Sequence, residues 1–189
     1  MKEKLNKNVL VLFSGGIDST SCIYYYQKLN FNVIGLFVDY GQPAAYQESI
    51  AVDKLSKVLG IEIVKIKSKI NLDLKEGYIQ GRNLLLFAVS LSSFPFTQGI
   101  ISLGIHSGTN YPDCSTKFVD LNQRMLDLYT RGNIILDCPF LNMNKKEIFN
   151  YFLKTNIPVE LTYSCELGGE RPCGKCLTCL DIKKLQYES

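Results

Sequence analysis

Neither sign of charge dominates this 189-residue chain. Twenty-one lysines and arginines against 18 aspartates and glutamates leave a formal charge of +3. The lysines are scattered rather than striped, so charge supplies no argument for nucleic-acid binding. No apolar run is long enough to span a membrane. The apolar stretch after residue 7 is too short for the core and cleavage site of a signal peptide. A cytoplasmic protein is therefore expected, and in that reducing compartment its seven cysteines are not expected to be disulfides. Internal repeats and low-complexity linkers are absent as well. What remains is an ordinary globular composition, 46% hydrophobic and 21% charged, enough to bury a sizeable core in one domain with at most a small appendage.

Strand-like and helix-like segments alternate along the chain. Strands are expected at about Asn8 to Phe13, Asn32 to Asp39, Ile61 to Lys67, Ile100 to Ile105 and Asn133 to Asp137. Helices are expected at about Asp18 to Leu29, Ala44 to Leu59 closed by Gly60, from near Asn83 toward Pro95, Thr116 to Tyr129 closed by Gly132, and Lys145 to Thr155 capped by Asn142 or Asn144. Five βα units with apolar, β-branched strands predict a doubly wound α/β fold around a five-stranded parallel sheet. Ligands in such folds sit beyond the carboxyl ends of the strands. After Pro158 cysteines and glycines concentrate, which suggests a nucleotide-binding domain over 1–157 and a metal-binding segment over 158–189.

Residues Phe13-Ser14-Gly15-Gly16-Ile17-Asp18-Ser19-Thr20 lie between the first strand and the first helix. A Gly-Gly turn there lets backbone N–H groups converge on an anion, and the helix N-terminus adds partial positive charge. The Gly-Lys-Ser/Thr of a Walker loop is missing. The segment resembles instead the SGGxDS loop of the PP-loop ATP pyrophosphatases. Those enzymes hold the β,γ-diphosphate as leaving group while a substrate oxygen attacks the α-phosphate.

Cys165, Cys173, Cys176 and Cys179 have the spacing C-x7-C-x2-C-x2-C. Four thiolates this close can surround one metal tetrahedrally, with Gly168, Gly169 and Gly174 permitting the turns. Structural zinc is favoured over an iron–sulfur cluster, because no Cys-Pro follows at the place a ferredoxin run would put it. Cys22 and Cys138, set among apolar residues, read as small buried hydrophobes.

The whole chain resembles the 7-cyano-7-deazaguanine synthase family of PP-loop enzymes. Beyond Phe13 to Thr20, the resemblance rests on Tyr40-Gly41-Gln42, Gly81-Arg82-Asn83-Leu84-Leu85, Tyr111-Pro112-Asp113-Cys114 and the four-cysteine tail. It implies ATP and Mg²⁺ as cofactors and Zn²⁺ on the cysteines. It also implies a 7-carboxy-7-deazaguanine substrate, ammonia as second substrate and a homodimer. The acid would attack the α-phosphate to give an acyl adenylate, ammonia would displace AMP, and a second activation would yield the nitrile. The sequence departs from the family around the expected substrate pocket. It is shorter between Lys67 and Gly81 and between Gly104 and Tyr111, Pro43-Ala44-Ala45 resembles an insertion, and Ser115 stands where arginine is common.

Residue by residue, Phe13 to Thr20 are expected to cradle the diphosphate and Asp39, Tyr40, Gly41 and Gln42 to meet the adenosine. Asp18 offers magnesium a hard oxygen or else caps the helix. Asp18, Ser19, Arg82 and Lys117 form the candidate catalytic set. Arg82 presents a fork for carboxylate or phosphate, and the alternative is a loop-holding ion pair. Arg82, Asn83, Tyr111 and Asp113 form the candidate substrate set. Asp113 suits a guanine-like donor edge, and Asn83 and Asp113 both have plain capping as the alternative. His106, the sole histidine, reads as a loop residue because the family pattern has none there. Three further functions stay open. A relative could pass the activated acid to another amine, such as one on a protein. A tRNA-modifying PP-loop enzyme generally carries an extra tRNA-binding domain, for which 189 residues leave no room. A subunit that only senses ATP would release no pyrophosphate.

Overall fold

The computed structural model describes residues 7–68, 79–106, 108 and 111–187. The elements run β1 (Asn8–Leu12), α1 (Ile17–Lys28), β2 (Asn32–Asp39), α2 (Ala45–Leu59), β3 (Glu62–Lys67), α3 (Arg82–Ser92) and β4 (Gly99–Ser102). They continue with α4 (Thr116–Thr130), β5 (Ile134–Asp137), α5 (Lys145–Leu153) and α6 (Leu177–Tyr187). The sheet order is β3-β2-β1-β4-β5, and every pair is parallel. The five-stranded doubly wound α/β fold is as expected.

Strand alternation sorts the core into two faces. Val9, Val11 and Phe13 pack with α1, α2 and α5 on one side, and Leu10 turns to the other with Leu36 and Val38, against α3. Ile101 and Leu103 face Phe87 of α3 and Leu126 of α4. A sheet covered on both faces has no polar side to alternate with, which is why its inner strands are nearly continuous apolar runs.

Local signals account for most boundaries. Asn144 and Glu147 form a capping box at the start of α5, at 3.0 and 2.7 Å, so Asn144 and not Asn142 is the cap. The left-handed turn after α4 begins one residue before Gly132, at Arg131 (φ 53°). Ser115 caps α4, its Oγ accepting from Phe118 N at 3.2 Å. Ser115, one of the expected departures from the family pattern, thus has a local structural use. The shortened stretch before Gly81 falls largely on residues 69–78, and the shortened loop before Tyr111 partly on 107, 109 and 110, all outside the described residues. The C-terminal segment holds α6, which the cysteine- and glycine-rich sequence concealed.

The buried titratable groups make the fold sensitive to alkali. Burial pushes the Cys138 thiol up to about 12 and the Cys22 thiol well above its ordinary 9.0. Tyr26 donates to Asp137 Oδ2 at 2.6 Å, and its phenol is also raised by burial. In each case the folded chain keeps a proton that the unfolded chain releases from about pH 9–10 upward. Stability from these groups is therefore complete below pH 9 and falls as pH rises, by about 1.4 kcal/mol per pH unit for each group ionised only when unfolded. The urea midpoint is expected to fall between about pH 8 and about pH 10.5, and less steeply in Cys22→Ala. Equal midpoints at the two pH values would contradict this.

Candidate active site

The strand order reverses between β1 and β4, and a cavity of about 510 Å³ opens at that switch point. Its floor is the turn from β1 into α1. Gly15 has φ +76°, and a Cβ on it would meet Ala51 Cβ at 3.0 Å and the Val52 backbone N at 3.2 Å, so only glycine fits this turn. Gly16 is the N-cap of α1 and makes no side-chain cap, which leaves the first N–H groups of the helix available to an anion. Ser14 Oγ lies 3.4 Å from Ser19 Oγ, and both residues line the cavity with Phe13, Gly16, Ile17 and Asp18. Thr20 does not join them. It is fully buried and its hydroxyl donates to the Gly16 carbonyl at 2.7 Å, so it holds the turn from behind.

Asp18 sits in the first turn of α1 and is not its cap. Its side chain is 38% exposed and lines the cavity. Burial raises its carboxyl above the ordinary range, opposed by His106 and Lys145. A cation beside the phosphates would hold it ionised, and Mg²⁺ is commonly bound by one or two carboxylates together with phosphate oxygens. The donor present fits that ion.

Beyond β2, Gln42 organises the wall. Its Oε1 accepts from Tyr40 N at 2.9 Å, and its Nε2 donates to Val38 O at 3.2 Å and Glu48 Oε2 at 2.7 Å. Burial raises both the Tyr40 phenol and the Glu48 carboxyl, and the Arg82 guanidinium pulls both back. Tyr40, Gln42, Glu48 and Arg82 all line the cavity. Asp39 and Gly41, expected against the adenosine, do not. Asp39 accepts from Gly41 N at 3.0 Å and pairs with Lys67 at 3.6 Å, so these two shape the loop instead.

The β4 side carries Asn83, Tyr111 and Asp113. Asp113 Oδ2 accepts from the backbone N of Asn83 at 3.1 Å, and Asn83 Nδ2 donates to the Asp113 carbonyl at 3.1 Å. The two residues clamp the start of α3, whose N-cap is Gly81 and not Asn83. Lys117 is exposed on α4 and does not line the cavity. The lysine that does is Lys145, at the first position of α5, bonded to Asp181 of α6 at 2.5 Å. Choosing between two lysines requires knowing which helix start faces the sheet's carboxyl edge.

The four candidate metal-binding cysteines converge, with all four Sγ atoms within 4.8 Å of one another. Cys173 Sγ accepts from Lys175 N at 3.4 Å and Cys176 N at 3.3 Å, and these bonds lower its thiol to about 6. The four residues together could hold a metal ion. The segment leading in is tied to the anion turn, since Tyr163 N donates to the Gly15 carbonyl at 2.9 Å. Tyr163 Oη in turn donates to Gly169 O at 2.7 Å, inside the cysteine segment. Through Tyr163 the cysteine segment thus buttresses the cavity floor. Cys22 and Cys138 are buried in the two core faces, as expected of small hydrophobes.

A family model described as "Queuosine biosynthesis protein QueC" matches residues 8–76 and 64–186. The chain belongs to the QueC family. A 7-cyano-7-deazaguanine synthase of Prochlorococcus marinus (strain MIT 9215) is 32% identical over 97% of this chain and 94% of its own length. One from Campylobacter jejuni subsp. doylei is 28% identical over 93% and 92%. The QueC chain described here is thus a PP-loop enzyme of the 7-cyano-7-deazaguanine synthase-like kind. Among solved structures, the U34-tRNA thiolase NcsA of Methanococcus maripaludis aligns with a TM-score of 0.58 at 20% identity, over 98% of this chain and 67% of that one. A predicted subunit of tRNA methyltransferase from Methanocaldococcus jannaschii also gives 0.58 at 20%, over 77% and 74%. At that identity the likeness is one of fold.

Among the described residues no helix is long and apolar enough to cross a membrane. Sequence reasoning missed Glu48, Lys145 and Asp181, all ordinary charged residues on helices with no motif around them. His106, read as a loop residue, does lie outside the helices and strands, but it is 5% exposed and lines the cavity, which its sequence surroundings did not show.

Proposed function

We propose that the chain is a cytoplasmic ATP-dependent carbon–nitrogen ligase that adenylates 7-carboxy-7-deazaguanine and aminates it toward the amide and nitrile. The observation that carries this reading is the meeting, at one switch point, of the anion turn with Arg82, Asn83, Tyr111 and Asp113. ATP fits with its diphosphate on the Ser14–Ser19 turn and its nucleoside toward Tyr40 and Gln42. Asp18 would hold Mg²⁺, which neutralises charge on the phosphates. The acid enters from the β4 side, where Arg82 meets its carboxylate and Asp113 its guanine-like donor edge. A bare carboxylate is a poor electrophile, and joining it to AMP supplies the leaving group. The protein's task is then positioning and charge stabilisation. Lys145 replaces Lys117 in the catalytic set, because it reaches the cavity.

Zinc is the proposed metal for the four cysteines. Tetrahedral Zn–S bonds of about 2.3 Å set sulfurs about 3.8 Å apart. Cys173 and Cys179 Sγ lie 3.9 Å apart, which supports a single ion. A four-iron cluster places its own atoms between the thiolates and needs them spread more widely.

Mass spectrometry of a reaction with ATP, Mg²⁺ and 7-carboxy-7-deazaguanine, with and without ammonium, tests the reading. The acyl adenylate, AMP and pyrophosphate are expected without ammonium, and the amide or nitrile with it. Adenylate formation that never advances with ammonium would favour another amine acceptor. No adenylate at all would reject the substrate. Asp113→Ala should weaken acid binding in calorimetry by about 1–3 kcal/mol, the cost of a buried donor left unpaired. ATP affinity should stay within about threefold of the parent, corresponding to less than roughly 0.7 kcal/mol. Equal losses for both ligands would show that Asp113 serves only as the clamp on α3.

A further inference from the structure

His106 stands on the β4 side of the switch point, facing the first turn of α1. Gly104 packs within 3.2 Å of Ser19 N and 3.3 Å of Asp18 C, measured to the place a Cβ would occupy, and this close approach brings the following residues against the anion turn. His106 is 5% exposed and lines the cavity. Its Nδ1 accepts a hydrogen bond from Gly108 N at 3.1 Å. A neutral imidazole that accepts at Nδ1 carries its proton on Nε2. Nε2 points toward Asp18 Oδ2 from 3.9 Å, too far for a hydrogen bond. The ring therefore presents an N–H donor to the cavity and has no lone pair to act as a base there.

Building on the adenylation reading, we propose that His106 is a further catalytic residue, a neutral donor whose Nε2–H binds a non-bridging oxygen of the α-phosphate. The reacting phosphorus must lie among three subsites: the nucleoside by β2, the diphosphate by β1 and the acid by β4. His106 occupies the border between the last two. In the step, a carboxylate oxygen of the acid forms a bond to the α-phosphorus, and the bond to the bridging oxygen breaks. That electron pair leaves with pyrophosphate. His106 keeps its proton throughout, and its hydrogen bond strengthens as charge grows on the pentacoordinate phosphoryl group.

A close contact on the other ring nitrogen preserves the donor. Gly108 sets its orientation, since a Cβ there would meet His106 Nδ1 at 2.9 Å.

The chain has one histidine, so nitrogen-15 NMR of histidine-labelled full-length protein reads this ring alone. The free protein should show the Nε2–H tautomer, and α,β-methylene-ATP with Mg²⁺ should move that proton downfield. A dominant Nδ1–H tautomer, or an unmoved resonance when calorimetry shows the nucleotide bound, overturns the proposal. In single turnover, His106→Phe should slow adenylate formation about 10²–10³-fold at saturating substrates, the usual effect of losing one such donor. His106→Gln, which restores an N–H near the Nε2 position, should recover to within about tenfold of the parent, since one donor is worth the larger factor. Equal losses in both variants, or a change confined to ligand affinity, refute the donor role. Absence of AMP and pyrophosphate from the unaltered protein is a different failure, that of the adenylation reading itself.

Discussion

Asp18→Asn is expected to reduce formation of AMP and pyrophosphate by at least about 10³-fold while leaving the chain folded, because the carboxylate we propose to face the phosphates is replaced by a neutral amide of the same shape. Asp18 is half-buried in the cavity and is not the cap of α1, which begins at Gly16 without a side-chain cap. Among the described residues its carboxylate makes no hydrogen bond to the fold, and desolvation already works against its charge. Losing that charge removes the carboxylate that would hold Mg²⁺ and should leave the melting temperature within a few degrees of the parent, as for a change of about 1 kcal/mol in a chain this size. Nucleotide chromatography gives a sharp reading. If the parent protein releases ADP rather than AMP, the PP-loop chemistry is wrong. If Asp18→Asn turns over normally, the metal role is wrong.

The second large effect is expected from the cysteine segment. Cys176→Ser, or chelation of the metal from the parent protein, should lower the melting temperature by about 10 °C or more. Structural zinc contributes several kcal/mol to folding, and each kcal/mol is worth roughly 2–4 °C in a domain of this size. Cys176 is only half-buried, so the change removes a ligand without opening a hole in the core. The loss should not stay local. Tyr163 N holds the Gly15 carbonyl, Tyr163 Oη holds Gly169, and Ile182 and Leu185 of α6 line the cavity. ATP affinity should therefore fall about tenfold or more along with stability, roughly 1.4 kcal/mol. Elemental analysis should give one zinc per chain. Iron in its place, or a chelated protein that melts and binds ATP like the parent, would refute this account.

What the sequence determined by itself was everything set by neighbours in the chain. The strand-to-helix turn at Ser14–Ser19, the cap at Gly60 and the C-x2-C-x2-C spacing are local devices, legible because a few consecutive residues decide the backbone. Apolar β-branched runs alternating with helices fixed the parallel sheet, since only a sheet covered on both faces needs them. Tertiary structure decided the rest. Thr20 belongs to the turn by sequence, but the helix rotates it into the core. Lys117 and Lys145 are equivalent until α5 is seen packed against α1, which puts the start of α5 at the cavity and leaves Lys117 exposed on α4. Glu48 and His106 carry no motif. Gln42 and Gly108 hold them locally, one by its amide and the other by its N–H, but only the packed sheet brings both to one cavity. Likewise the anion turn is sequence-local, but the hand that steadies it, Tyr163, comes from nearly the other end of the chain. Contacts between distant segments depend on how whole layers pack, and no short stretch of residues encodes that.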